Sequence, residues 1–415
     1  MIANTPPMGW NSWDCYGAAV TEDTVRKNAE YMAEHLKEFG WEYVVVDIQW
    51  YQPTAASHMY EPFSEVCMDA YGRLIPAENR FPSAKDGAGF RPLADYIHSL
   101  GLKFGIHIMR GLPRMAAHRH LPIFGSDARC HEAADPNSIC AWNPDMYGLK
   151  TDLPAAQAYY DSIFRLYAEW GVDFVKCDDI AREYPRCRRE IEIISRAAKN
   201  CGREIVLSLS PGPAPLEEAE HLKTYAHLWR ITDDFWDEWR LLKNMFERAQ
   251  KWCVHAGPGH WPDADMLPVG ALRQCDSPDG WTRFTRAEQR TMMTLWCMMR
   301  SPLMIGGEMT KNDEFTLNLL TNGNLLEIEK TSWCAHPLRT TAEESAWIAP
   351  RQDGNGVYLA LFNLSDRKRA VALSSAEAGL QSFSGQEIWT GKETRKAKQL
   401  RAVLAPHDAA VWLVK

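Results

Sequence analysis

Acidic residues gather at the ends of four short apolar runs. Asp47 lies in Trp41–Trp50, Asp178 and Asp179 follow Val172–Cys177, Asp233 and Asp234 follow His227–Ile231, and Asp263 and Asp265 lie within Trp261–Leu267. A single acid at such a place is often only the cap of the next helix. Four sets are harder to explain that way, because converging carboxylates repel one another unless the arrangement is used. Two cations stand among them. Lys176 is two residues before Asp178, so on a strand both side chains point to one side. A lysine there lowers the acid's pKa and keeps it ionised for attack. Arg230 and Asp234 belong across the pocket, where a carboxyl facing another carboxylate tends to keep its proton and can act as a general acid. This is the chemistry of glycosidic bond cleavage with retention, which needs two carboxyl groups about 5–5.5 Å apart.

Converging strand ends require a closed parallel sheet. The apolar runs alternate with helical patterns: Glu22–Phe39, residues 91–100, residues 154–170 and Arg186–Asn200 read as helices. Trp41–Trp50, Leu102–Met109, Val172–Cys177, Glu204–Ser210, His227–Ile231, Trp261–Leu267 and Pro302–Ile305 read as strands. About eight such units predict an α/β fold, a (β/α)8 TIM barrel with its chemistry at the C-terminal strand ends. The long stretch Tyr51–Pro92 is an insertion of the kind that shapes a site. From residue 330 the period changes. Ala346–Pro350, Gly356–Asn363, Arg369–Ser374, Glu387–Trp389 and Ala409–Val414 read as short strands of an antiparallel β-sandwich. The division expected is a catalytic barrel over 1–329 and a sandwich over 330–415.

Bulk properties narrow the partners. A net charge of -8 without a basic run argues against nucleic acid, and no apolar run is long enough to span a membrane. The eleven scattered cysteines lack metal-type spacing and suit a reduced interior. With no secretory signal at the start, the protein reads as cytoplasmic. Seventeen tryptophans supply faces that a sugar ring can stack on, although most must serve the core. His118-Arg119-His120 reads as an exposed polar loop after strand three rather than a metal site, and Cys177 as a packing residue turned away from Asp178. A metal-dependent hydrolase and a non-catalytic sugar receptor are the rival classes.

The motifs resemble glycoside hydrolase family 27, the family of α-galactosidases and α-N-acetylgalactosaminidases, over nearly the whole chain. Pro6–Trp13 (PPMGWNSW) matches the family's first-strand signature, Lys176-Cys177-Asp178 its K-[YF]-D motif, Trp229–Phe235 its W-R-x-x-x-D-I motif, and Trp261–Leu267 its W-x-D-x-D-M-L motif. The resemblance implies Asp178 as nucleophile and Asp234 as acid/base. It also implies Trp13 beneath the sugar, Asp47, Lys176, Arg230 and Asp265 on its hydroxyls, and no cofactor or metal. The expected partner is a carbohydrate substrate, and a homo-oligomer is compatible with the sequence.

The departures bear on substrate. The family's galactosidases end strand two in D-D-x-W, with both aspartates binding O4 and O6 of galactose; this chain has Asp47-Ile48-Gln49-Trp50. His107 replaces the usual tyrosine on strand three, a position that contacts the sugar in the family and equally suits a satisfied core histidine, and Ser208–Gly212, with Ser210 at its centre, lacks the family's recognition loop for the 2-position. Isoleucine cannot accept a hydrogen bond from O6. A dry, unpaired hydroxyl costs roughly 1–3 kcal/mol. A galactose-like ring without C6, β-L-arabinopyranose, avoids that cost. The sequence therefore points to a retaining exo-acting β-L-arabinopyranosidase. α-Galactosidase is the alternative and α-N-acetylgalactosaminidase ranks last.

Overall fold

A computed structural model describes residues 2–415. Eight parallel strands form the barrel: β1 (Met8–Asn11), β2 (Tyr43–Val46), β3 (Lys103–Met109), β4 (Phe174–Asp178), β5 (Val206–Leu209), β6 (Leu228–Arg230), β7 (Trp261–Asp263) and β8 (Leu303–Ile305). They are hydrogen-bonded in the order β7-β6-β5-β4-β3-β2-β1-β8. A parallel bridge from Leu267, just beyond β7, to Ile305 of β8 closes the ring. The register runs Gly9↔Tyr43↔Lys103, Gly105↔Phe174↔Val206 and Ser208↔Leu228↔Trp261. Strand β2, YVVV, is buried throughout, as a strand covered on both faces must be.

Helices α1 (Glu22–His35), α2 (Arg91–Ser99), α3 (Pro154–Trp170), α4 (Arg188–Asn200), α5 (Ala219–Tyr225), α6 (Trp239–Trp252) and α7 (Arg286–Met299) follow the first seven strands in turn. Local signals set their ends. Thr285 and Glu288 form a capping box at the start of α7. α3 opens on Pro154 and stops at Gly171, whose φ of 82° is the left-handed conformation that a side chain would oppose. After β8 come α8 (Glu314–Leu320) and α9 (Gly323–Thr331).

Strand two is shorter than the apolar run Trp41–Trp50 predicts. The chain leaves the sheet at Asp47, whose N–H donates to Ser12 Oγ (2.9 Å) and whose carboxylate takes the Ile48 N–H (2.9 Å). Trp50 is apolar for another reason: it packs edge-on against Phe90 and Trp170 outside the sheet.

The C-terminal strands are β9 (His336–Thr340), β10 (Glu344–Pro350), β11 (Val357–Asn363), β12 (Arg369–Ser374), β13 (Phe383–Glu387), β14 (Glu393–Ala397), β15 (Gln399–Leu404) and β16 (Ala409–Val414). Six form one antiparallel sheet, β9-β10-β11-β16-β13-β14, while β12 pairs with β15. The two-residue period sorts the apolar side chains. Ile348, Leu359, Leu361 and Trp412 face Val371, Leu373 and Leu400 in the sandwich core, whereas Trp347, Ala360, Phe362 and Val411 join the core of the barrel. Phe362 meets Phe246 of α6 edge-on at 4.9 Å, and Arg290 of α7 grips Asp408 through two bonds of 3.0 and 2.9 Å.

Glu387–Trp389 is not a strand as predicted. β13 ends at Glu387, and Trp389 turns onto α7, where its indole donates to Thr294 (3.1 Å). Its apolar character serves the joint between sheet and barrel.

Candidate active site

At the C-terminal strand ends a cavity of about 240 Å³ is lined by Trp13, Asp47, Ile48, Tyr60, Trp142, Lys176, Asp178, Arg182, Pro211 and Asp234. Drug-sized ligands occupy roughly 300–1,000 Å³, so this is room for a single sugar ring. A larger cavity, about 800 Å³, lies at the opposite end of the barrel among Met8, Tyr43, Lys103 and Asp173, where the strands begin. Chemistry in this fold belongs to the other end.

Asp178 is the last residue of β4. Its Oδ2 lies 3.0 Å from His107 Nε2, and its Oδ1 accepts the Asp179 N–H (3.0 Å). Burial alone would raise this carboxyl. The His107 hydrogen bond, Lys176 and the Asp179 N–H outweigh it and hold Asp178 well below the usual carboxylate range. Asp47 is treated alike: burial opposes ionisation, and Lys176 and His107 with the hydrogen bonds of Lys176 (2.9 Å) and Asn11 (2.7 Å) restore it. Lys176 is largely withdrawn from water, its side chain 13% exposed, and Asp47 and Asp178 keep its proton in place against that desolvation.

A second cluster surrounds Arg230. Its Nη2 lies 2.7 Å from Asp265 and 3.0 Å from Asp234. Asp265 also accepts the Phe235 N–H (2.7 Å), which fixes the loop that carries Asp234. Burial, Asp234 and Asp263 push Asp265 upward in spite of Arg230. Asp234 itself is the exposed member, with 55% of its side chain open at the mouth. The pocket thus holds two inner carboxylates kept ionised, Asp178 and an Asp47 bonded by Asn11, Lys176 and the Ile48 N–H, and one carboxyl at the entrance. That is what attack on an anomeric carbon with proton transfer to a departing oxygen demands.

The predicted residues divide into two groups. Trp13, Asp47, Ile48, Lys176, Asp178 and Asp234 line the cavity. His107, Ser210, Arg230 and Asp265 do not, and each is at most 3% exposed. His107 touches Asp178, Arg230 and Asp265 support Asp234, and at the Ser210 position it is Pro211 that reaches the pocket.

Four residues escaped the sequence reading. Tyr60 comes from the insertion after β2, Trp142 from the excursion after β3, and Arg182 from the loop after β4. Asp14 is the fourth. Its carboxyl is buried with Oδ2 unpaired, and burial with Asp265 and Asp234 nearby pushes it far up. A Cβ at residue 306 would lie 2.1 Å from that oxygen, so glycine is required there. Asp14 directly follows the Pro6–Trp13 signature, and an acid beside an aromatic floor was the available signal.

Comparison with known proteins agrees with this geometry. The family model described as alpha galactosidase A matches residues 5–149 and 145–331, and that of the alpha galactosidase C-terminal beta sandwich domain matches residues 341–414. The chain is 27% identical to the alpha-galactosidase of Cyamopsis tetragonoloba over 395 residues, 94% of this chain and 80% of that protein.

Among solved structures, a GH27 β-L-arabinopyranosidase variant from Geobacillus stearothermophilus, in complex with arabinose, superposes with a TM-score of 0.97 at 53% identity. The match covers 100% of this chain and 97% of that one. A Bacillus halodurans structure named as an α-N-acetylgalactosaminidase gives a TM-score of 0.90 at 50% identity, covering 100% of this chain and 98% of that one. The chain belongs to glycoside hydrolase family 27, the alpha galactosidase A family, and is a retaining glycoside hydrolase acting on carbohydrate.

Proposed function

We propose that the protein releases terminal β-L-arabinopyranose, with Asp178 as nucleophile and Asp234 as acid/base. The observation that carries the choice of sugar is Ile48, an apolar wall in a pocket otherwise rich in hydrogen-bonding groups. The side chain is 3% exposed and offers no acceptor to O6, and in this reading it fills the space that C6 of galactose would need. A neighbour at 53% identity bears the name β-L-arabinopyranosidase, which supports the reading.

In the reaction, Asp178 attacks the anomeric carbon while Asp234 protonates the departing oxygen. Asp234 then takes a proton from water, which releases the sugar with its configuration retained. Asp47 and Lys176 hold ring hydroxyls over the Trp13 face. Arg230 and Asp265 hold Asp234 from behind. The eleven cysteines are all unpaired, which suits work on short glycosides in the reducing cytoplasm. No helix among the described residues is long and apolar enough to cross a membrane.

The test of the sugar is kcat/KM on p-nitrophenyl β-L-arabinopyranoside, α-D-galactoside and N-acetyl-α-D-galactosaminide, side by side. Loss of one hydroxyl partner predicts a preference for the arabinopyranoside of about tenfold or more. A preference for either hexoside would withdraw arabinopyranose and leave the catalytic pair standing.

His107 carries a second expected result. An ionised Asp178 can only accept, so His107 donates to it through Nε2. His107→Phe removes one charge-assisted bond, worth about 1.5–3 kcal/mol, and kcat/KM should fall about ten- to hundredfold. With that donor gone the Asp178 carboxyl titrates higher, so the acid limb of the pH profile moves to higher pH. An unmoved acid limb would mean that His107 does not set the state of Asp178.

A further inference from the structure

Exposure rises along the pocket. Asp47, Ile48 and Lys176 lie at its depth, while Tyr60, Trp142, Arg182 and Asp234 lie further out. If Asp234 protonates the departing oxygen, the leaving group must rest among the neighbours of Asp234 at the mouth. This step rests on the catalytic reading above.

Those neighbours are not random. Tyr60 stacks on Trp13 with centroids 6.1 Å apart and planes 24° apart. Trp142 then meets Tyr60 at 5.2 Å and 61°, so the two rings form a corner that continues the aromatic floor outward. Arg182 borders the same cavity. It donates to Asp233 (2.8 Å), and Asp233 in turn accepts the Asp234 N–H (3.0 Å). A cation with spare donors is thereby tied to the acid/base loop.

We propose that Tyr60, Trp142 and Arg182 form the leaving-group subsite, and that it selects a second pyranose sugar. A sugar ring has an apolar C–H face for the aromatic corner and a rim of hydroxyls for Arg182. A purely aromatic leaving group would match the rings and leave unused the guanidinium donors that Asp233 does not take. Tyr60 and Trp142 come from separate excursions, after β2 and after β3, and both are brought to the one cavity where the bond is cleaved.

The test compares two substrates in the wild type, Trp142→Ala and Trp142→Phe. β-L-Arabinopyranosyl fluoride has a leaving group too small to fill the subsite, whereas β-L-arabinopyranosyl-(1→6)-D-galactose fills it. Loss of an aromatic anchor predicts that kcat/KM for the disaccharide falls about 30-fold further than for the fluoride in Trp142→Ala. Trp142→Phe should recover most of that ratio.

Equal losses on both substrates, or no change in their ratio, would overturn the subsite. Failure of the wild type on the fluoride would instead count against the arabinopyranose reading. The same ratio would then be taken with α-D-galactosyl fluoride and melibiose, so the subsite is judged in either case.

Discussion

Replacing Asp178 with alanine is expected to lower kcat/KM on p-nitrophenyl β-L-arabinopyranoside by about 10⁴-fold or more. Asp178 is the only carboxylate of the cavity paired with both a buried histidine and a backbone N–H while a lysine stands beside it. Every one of these contacts stabilises the anion. They fix its direction as well, since Oδ2 faces His107 and Oδ1 turns to the Asp179 N–H. No other group is placed to replace it. Asp47 is also ionised, but its Oδ2 is occupied by Asn11 and Lys176 and its Oδ1 by the Ile48 N–H. Cys177 faces away, fully buried, and burial with Glu190 and Asp178 nearby raises its thiol far above the range of a nucleophile. Turnover of Asp178→Ala within tenfold of the wild type would place the nucleophile elsewhere.

The second large effect concerns specificity. Ile48→Asp should raise the ratio of α-galactosidase to β-L-arabinopyranosidase activity about ten- to hundredfold, because a carboxylate at this position gives O6 an acceptor. The gain is limited by where the new charge sits. It lies next to Asp47 in a buried wall, and Lys176, which lines the same cavity, already serves Asp47. Lower thermal stability should accompany the switch, since a buried charge shares a partner that is already used. Ile48→Asn supplies a hydrogen bond without the charge and should move the ratio in the same direction with less loss of stability. An unchanged ratio in both variants would mean that Ile48 does not face C6.

The strand ends could be read because parallel strands buried on both faces leave nearly unbroken apolar runs, and polar residues interrupt them only where the barrel opens. Asp47, Asp178 and Asp234 were found that way. By resemblance His107 matched a sugar contact, with a satisfied core histidine the equal alternative; it pairs in register with Lys176, two residues short of the end of β3. At that depth it reaches Asp178 instead of the cavity. Tyr60 and Trp142 could not be read. They lie in excursions without a period, and only the tertiary fold brings them beside Trp13.

The outer strands β14 and β15 were missed for a related reason. ETRKA and QLRAVL are charged and largely exposed, so alternation is weak along them. Trp389 misled in the opposite sense, since an apolar residue in a turn resembles a strand when its partner is a distant helix.

The double-displacement account requires a covalent bond between the sugar and Asp178. Incubation with 2-deoxy-2-fluoro-β-L-arabinopyranosyl fluoride slows both steps yet keeps the leaving group reactive, so the intermediate should accumulate. Mass spectrometry of the intact protein should then show one added fluoro-sugar, and the peptide that carries it should contain Asp178 as the modified residue. Attachment at any other residue, or inactivation with no added mass while the untreated enzyme turns over substrate, would contradict the account.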